Sequence, residues 1–440
     1  MSSQSPLVVR AGQLLTMVPG GSGEADPIRS IPPSDDLAAL RERDADLTGC
    51  IEDGAVCIDG ELITWVGRWA DRPPELRKKG TRVAEVKCAT PGWIDAHTHA
   101  VFAGWRHEEF TQRNLGADYL SILEAGGGIH SSVEHLRKSK RKALVGLLFE
   151  RCFEATRLGV TTMDVKSGYG LTTDHELKQL KAIERVRDEV LVDLQATFLG
   201  AHAIPEKYRG DRQGYVSKVC EEMIPAVSEL GLARFCDVFC DRGAFTAAES
   251  VKILEAGKRY GMIPRIHADE LTAAGAAEVA VEVGASSADH LEHVSDEAIV
   301  GMADRGVAAV LLPGVNLFLS HTPYAPARKL LRAGVEVALA TDFNPGSSST
   351  QDIGLIMTLG CTMLKMTPGE VLRAVTRSAS HALCLQDSRG TLEVGKRADL
   401  TVLSVDDYWQ VPYIAGRSHV DGVIRSGELV YWRSAEEVEA

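Results

Sequence analysis

Two rhythms of apolar and polar residues run along this chain. Near both ends the apolar positions fall in short runs broken by Gly and Asp. Residues 6–17 (Pro-Leu-Val-Val-Arg-Ala-Gly-Gln-Leu-Leu-Thr-Met) read as a strand pair interrupted by a glycine. Residues 55–67 read as a hairpin, Val56-Cys57-Ile58 and Leu62-Ile63-Thr64-Trp65 flanking a turn at Asp59-Gly60. The run from Gly422 to Trp432 echoes that hairpin, again with Gly in the turn, and 398–405 add a further strand. Isolated hairpins do not make a stable sheet. The economical arrangement joins both ends, 1–90 and 389–440, in one small β domain around an inserted domain of 91–388. Residues 18–50 are rich in Pro, Gly and charge, which predicts a surface excursion with a short helix after the cap Ser34.

The middle of the chain has a different rhythm. Eight nearly continuous apolar runs stand at 92–99, 161–166, 194–200, 235–241, 264–269, 287–291, 308–313 and 335–342. Helical patterns separate most of them, as at 177–190, 249–260, 272–283 and 296–304. Apolar strands alternating with helices mean a parallel sheet. Eight such units over this length predict a (β/α)8 barrel of the TIM type, whose chemistry sits at the C-terminal strand ends.

Composition narrows the possibilities. The chain has 440 residues, 45% hydrophobic and 25% charged, with a net charge of −13. That balance argues against a nucleic-acid partner. It also means that an anionic ligand needs a local cation. The first residues show no basic segment followed by an apolar one, and no apolar run reaches membrane-spanning length. The expectation is a cytoplasmic protein with no membrane contact. Its nine cysteines show no C-x-x-C, so they read as reduced structural thiols, with Cys236 and Cys240 buried on one strand face.

The strand ends carry the candidate chemistry. Strand one ends in His97-x-His99, strand two in Lys166-Ser-Gly-Tyr169, strand three in His202, strand five in His267-Ala-Asp-Glu270, strand six in Asp289-His290 and strand eight in Asp342-Phe-Asn344. A single strand-end His is more often a hydrogen-bonded structural residue than a ligand. Several in one layer, with a carboxylate straight after an apolar run, favour a metal site. Three imidazoles and one carboxylate, His97, His99, His267 and Asp342, suit zinc or ferrous iron.

The stretch from Pro91-Gly92 to His97-Thr98-His99, with the later His and final Asp, resembles the amidohydrolase superfamily. In those proteins a metal-dependent barrel sits beside a β-sandwich built from both chain ends. Ala103-Gly104-Trp105-Arg106, Glu124-Ala-Gly-Gly-Gly128, Val165-Lys-Ser-Gly-Tyr-Gly170, Phe198-x-Gly-Ala-His202, His267-Ala-Asp-Glu270 and Thr341-Asp-Phe-Asn-Pro-Gly-Ser347 are similar to the imidazolonepropionase family. They fall in order across nearly the whole barrel. Trp105 departs from the acidic or polar residue expected before the arginine, and 18–50 has no matching motif. The resemblance implies hydrolysis of a small molecule, 4-imidazolone-5-propanoate, to N-formimidoyl-L-glutamate, a step of histidine breakdown. It also implies a homodimer and a pocket completed by Tyr169, His202, Asn344, Gly346 and Ser347, with Tyr119 as a further member. Binuclear relatives use a carboxylated Lys on strand four. Here the Lys, Lys166, is on strand two, so one divalent ion is expected, with Lys166 supporting the site by hydrogen bonding.

This reaction sets physical demands. The propanoate needs a cation, and Arg106 is the candidate because a guanidinium grips a carboxylate bidentately. The leaving ring nitrogen needs a proton, which Glu270 is placed to reach. Asp342 is positioned to touch both metal and water, and His290 to orient the water, shuttle its proton or steady the oxyanion. Two other readings compete: a related hydrolase or deaminase for another ring, and a metal-free barrel acting as a scaffold.

Overall fold

The computed structural model describes residues 6–20, 28–78, 81–117 and 127–433. Four strands come first: β1 (Leu7–Leu15), β2 (Cys50–Asp59), β3 (Leu62–Arg68) and β4 (Arg82–Pro91). Eight follow: β5 (Trp93–Asp95), β6 (Val160–Lys166), β7 (Asp193–Ala201), β8 (Phe235–Cys240), β9 (Ile263–Ala268), β10 (Ser287–His290), β11 (Ala308–Leu311) and β12 (Val337–Leu339). The last three are β13 (Leu400–Leu403), β14 (Val420–Arg425) and β15 (Glu428–Trp432).

The chain ends form one seven-stranded mixed sheet of order β15-β14-β13-β4-β1-β2-β3. β13 supplies the junction, with Leu400 opposite Pro91 and Leu403 opposite Cys88. Val9, Ala11, Leu14, Val56, Ile58, Leu400 and Ile424 line one apolar core. The sheet curls around it, and Ile63 exchanges backbone hydrogen bonds with Lys396 and Gly395 at 2.9 Å each. β1 is a single strand, not the pair expected from Gly12. Its register with β2 and β4 holds on both sides of that glycine. A Cβ at Gly12 would lie 2.8 Å from the Lys87 carbonyl oxygen, so close approach of β4 explains the glycine.

The excursion at 18–50 also differs from expectation. It contains the helix Leu37–Thr48, capped by Asp36 rather than Ser34, with the Asp36 side chain accepting from the Ala39 N–H at 2.9 Å. This helix docks on the barrel helix Pro368–Ala374. Buried Asp44 accepts from Thr367 Oγ1 (2.8 Å) and the Gly369 N–H (2.9 Å), and pairs with Arg43 at 2.8 Å. Arg43 also pairs with Glu370, which Arg328 holds at 2.6 Å. Charge made this segment look solvated, but here the charges are the docking contact.

The eight central strands form a parallel sheet in sequence order from β5 to β12. The seam between β12 and β5 closes through backbone just beyond their ends. The Asp342 N–H donates to the His97 carbonyl at 3.0 Å, and the His99 N–H to the Phe343 carbonyl at 2.9 Å. Below them Asp95 accepts from the Thr341 N–H (3.0 Å) and hydroxyl (2.6 Å). Three of the four residues expected to bind metal, His97, His99 and Asp342, therefore stand on the closing seam, and His267 stands on β9. Among the described residues no helix is long and apolar enough to cross a membrane.

Asp44→Ala leaves the Arg43 guanidinium and two other donors without their buried acceptor, and is expected to cost about 3 kcal/mol of stability. Denaturant unfolding measures it; a loss below about 0.5 kcal/mol, typical of surface sites, would contradict the docking role.

Candidate metal centre and active site

Inward positions two residues apart on the barrel strands carry charge in stacked layers. Asp164 and Lys166 stand on β6, Arg265 and His267 on β9, and Ser287 and Asp289 on β10, all buried. Lys166 Nζ lies 2.8 Å from Asp237 Oδ2 and 3.0 Å from Asp164 Oδ2. Arg265 reaches Asp289 Oδ2 at 2.8 Å and Asp164 Oδ2 at 3.0 Å. Burial and Arg265 push the Lys166 ammonium down, but the three carboxylates outweigh them and raise it above its ordinary value. Lys166 thus stays a charged hydrogen-bond donor, as the sequence suggested.

This layer aims the histidines above it. Asp289 Oδ2 sits 2.6 Å from His97 Nδ1, and Asp237 Oδ1 sits 3.1 Å from His267 Nδ1. A carboxylate on Nδ1 fixes each ring's tautomer and leaves Nε2 with a lone pair. The His99 ring stacks on His202 at 5.0 Å between centroids. Burial first, then nearby cationic and imidazole groups, pushes His97, His99, His202 and His290 well below the ordinary imidazole range.

The Nε2 atoms and Asp342 converge. His97 and His99 Nε2 are 3.3 Å apart, and His99 and His267 Nε2 are 3.4 Å apart. Asp342 Oδ1 is 3.4 Å from His97 Nε2 and 3.3 Å from His99 Nε2. Ligand bonds of about 2.0–2.1 Å in a tetrahedral site set ligand–ligand edges of about 3.3–3.4 Å. Asp342 Oδ1 is buried and has no hydrogen-bond partner. Burial pushes the Asp342 carboxyl up to about 7, so a cation is what this carboxylate lacks. Lys166 and Arg265 pair with Asp164, Asp237 and Asp289, and Asp342 adds a fourth buried carboxylate to these two cations. His97, His99 and Asp342 form one group whose spacing and charge fit a divalent ion, and His97 and His267 group likewise with His290.

The mouth around this centre holds the other expected residues. Asp342 and His290 take left-handed backbone angles, φ 48° and 79°, a strain usual at functional sites. Asn344 Nδ2 donates to Asp342 Oδ2 (3.0 Å) and Ser347 Oγ (2.8 Å), and Asn344 Oδ1 accepts from the Gly346 and Ser347 N–H groups, both at 2.8 Å. Asn344 and Ser347 therefore brace one another and steer the Asp342 carboxylate. Gly346 has a steric reason: a Cβ there would lie 1.6 Å from Arg106 Nη2. The Arg106 N–H donates to the Pro345 carbonyl at 3.1 Å. Its Nε is 3.4 Å from Glu109 Oε2 and makes no hydrogen bond. Tyr169 is buried with its ring 5.8 Å from His99 and 5.4 Å from His202. Tyr119 lies outside the described residues.

Glu270 is free for chemistry because its neighbour does the capping. Asp269 accepts from the Ala274, Ala276 and Ala277 N–H groups at the start of the helix Ala276–Val283. Glu270 Oε2 is 3.7 Å from His290 Nε2. Burial, then Glu292, Asp342 and Asp241, raises its carboxyl well above the usual range. Sequence reasoning assigned no role to Asp164, Arg265, Asp289 or Glu292. Asp164 and Arg265 had a signal, ionisable side chains two residues apart inside apolar strand runs, and Asp289 had one in its buried-strand position beside His290. Glu292 had none.

The family model described as the amidohydrolase family matches residues 88–430. The imidazolonepropionase of Geobacillus kaustophilus is 46% identical over 97% of this chain and 98% of its own length. That of Myxococcus xanthus is 45% identical over 85% of this chain and 89% of its own. Among solved structures, a triazine hydrolase variant superposes with TM-score 0.72 at 16% identity, covering 97% of this chain and 95% of that one. An adenosine deaminase from Xanthomonas campestris with bound zinc gives 0.66 at 19%, covering 97% and 92%. Barrel, composite sheet, converging donors and near-full-length similarity agree: the chain belongs to the amidohydrolase family, among the imidazolonepropionases.

Proposed function

We propose that this protein opens the ring of 4-imidazolone-5-propanoate with water, giving N-formimidoyl-L-glutamate, and that its site residues divide the work as follows. The observation that carries the reading is one mouth holding two opposed features: a donor cluster fit for a metal and a buried guanidinium at Arg106. A single divalent ion, zinc or ferrous iron, held by His97, His99, His267 and Asp342, supplies an activated water at neutral pH.

The chain's own residues do the rest. Arg106 grips the propanoate, with Gly346 leaving room for the guanidinium. Tyr169 and His202 line the ring's berth beside His99. Water oxygen bonds to the ring carbonyl carbon while Asp342 takes a water proton. The neutral His290 offers an N–H to the oxygen on which negative charge develops. As the C–N bond breaks, its electron pair goes to the ring nitrogen, which takes a proton from Glu270. Burial, then Glu292, Asp342 and Asp241, raises that carboxyl well above the usual range, which favours the acid form a donor needs. Asn344 and Ser347 act through Asp342 by fixing its second oxygen. The same reading takes 91–388 as the catalytic domain. It places the enzyme in the cytoplasm, where its nine free cysteines stay reduced, and as a homodimer.

Three outcomes are expected. Chelation abolishes turnover of imidazolonepropanoate, and one equivalent of zinc or iron restores it; full activity in metal-free protein refutes the reading. Arg106→Ala raises KM about 100-fold with a smaller change in kcat, as befits loss of a charge-assisted pair. An unchanged KM favours a substrate without the carboxylate. Glu270→Gln lowers kcat about 10²–10⁴-fold while metal content stays stoichiometric. Since the raised Glu270 carboxyl is the acid form, wild-type kcat falls as pH rises through its titration. That alkaline limb disappears in Glu270→Gln, and a limb that persists assigns the proton to another group.

A further inference from the structure

Beside Glu270 a chamber of ≈ 230 Å³ opens, lined by Glu270, Glu292, His293, Asn316, His321 and Pro323 among others. Among the described residues, no lysine or arginine lines it. Glu292 follows His290 by two residues and is only 7% exposed. Its Oε2 is buried without a hydrogen-bond partner. An unpartnered buried carboxyl oxygen is costly, and its residue lines a space that holds several waters or one small group. Neighbouring groups are already spent: Asn316 Nδ2 donates to the Pro323 carbonyl at 3.0 Å, and the His293 N–H to the Asp269 carbonyl at 2.9 Å. Nothing in the reaction as described uses this carboxyl.

The reaction does create a group that needs it. The neutral ring opens to a carboxylic acid and a formamidine. The acid loses a proton and the strongly basic amidine gains one, so the product bears a planar cation that the substrate lacks. Like a guanidinium, an amidinium presents parallel N–H donors matched to carboxylate oxygens. It appears at the nitrogen protonated by Glu270, at the entrance of the chamber. Arg106, on another loop, takes the anionic tail, so the mouth has one cationic and one acidic station.

We infer that Glu292 is a recognition residue for the amidine end, receiving the formamidinium in the chamber beside Glu270 as the ring opens. This rests on the proposed reaction. Glu292 touches the leaving half of the substrate, so it biases the ring-opened state rather than the ring. Burial pushes its carboxyl up to about 8 against the pull of its own backbone N–H, with Asp342 and Asp241 adding to the rise, and an arriving cation opposes that shift. His293 and His321 are the other titratable groups on the chamber wall, with Glu270.

The test compares two ligands of nearly the same shape on metal-loaded protein by calorimetry. N-formimidoyl-L-glutamate carries the cation, and N-formyl-L-glutamate carries a neutral amide in its place. Wild type is expected to prefer the first by about 10- to 100-fold, the range of a charge-assisted hydrogen bond. Glu292→Gln is expected to bring that preference to within about threefold, with Glu292→Asp in between, because the shorter carboxylate keeps the charge. Metal content and circular dichroism confirm that each variant is folded, and the Asp variant carries the test if the Gln variant is not. A preference that survives in Glu292→Gln, or that is absent from wild type, overturns the inference while leaving the reaction intact. Wild type that binds neither ligand and does not open the ring overturns the reaction itself, and the inference with it.

Discussion

Everything at the mouth of this barrel depends on how charge is kept inside a dry core. Three imidazole nitrogens and a carboxylate oxygen crowd within 3.3–3.4 Å of their neighbours, on side chains that are all buried. Such a cluster is tolerable only if each ring is held in one tautomer and the charge sums to what a bound cation cancels. The layer beneath does both. Lys166 and Arg265 hold Asp164, Asp237 and Asp289 in place, and two of those carboxylates orient His97 and His267. Removing either cation would leave buried carboxylates uncompensated, which costs several kcal/mol in comparable settings.

Above that layer the loops trade backbone comfort for position. Asp342 and His290 sit in left-handed conformations that most residues avoid. The turn at Asn344 to Ser347 saturates its own hydrogen bonds, so the Asp342 carboxylate is fixed by its neighbours and not by solvent. The same turn carries Gly346, whose missing side chain lets Arg106 approach. A short loop thus sets the metal side and the anion side of the mouth together.

Much of this was legible in sequence because it follows from period. Eight apolar runs gave the barrel, and polar residues at their ends gave the ligand candidates. The echo of 55–65 in 422–432 pointed to the composite sheet. What escaped detection had the wrong visible character. The helix Leu37–Thr48 docks through Asp44 and Arg43, so its buried face reads as a solvated one. Gly12 looked like a break because sequence does not show which strand lies alongside. Glu292 is a lone acidic residue in a loop, and only the chamber beside it distinguishes it from any other. Asn344 read as a pocket residue, and the structure adds that both ends of its amide brace the turn.

The composite sheet has a consequence for how the protein is made. β4 ends at Pro91, and its partner β13 begins at Leu400. On the ribosome the early strands β1 to β4 can pair among themselves long before β13 exists. Throughout synthesis of the barrel, β4 presents one unpaired edge, a template for stray strands. At about 5–20 residues per second that exposure lasts some tens of seconds. The molecule is completed at its beginning and end at once, and its most vulnerable moment is the interval between them.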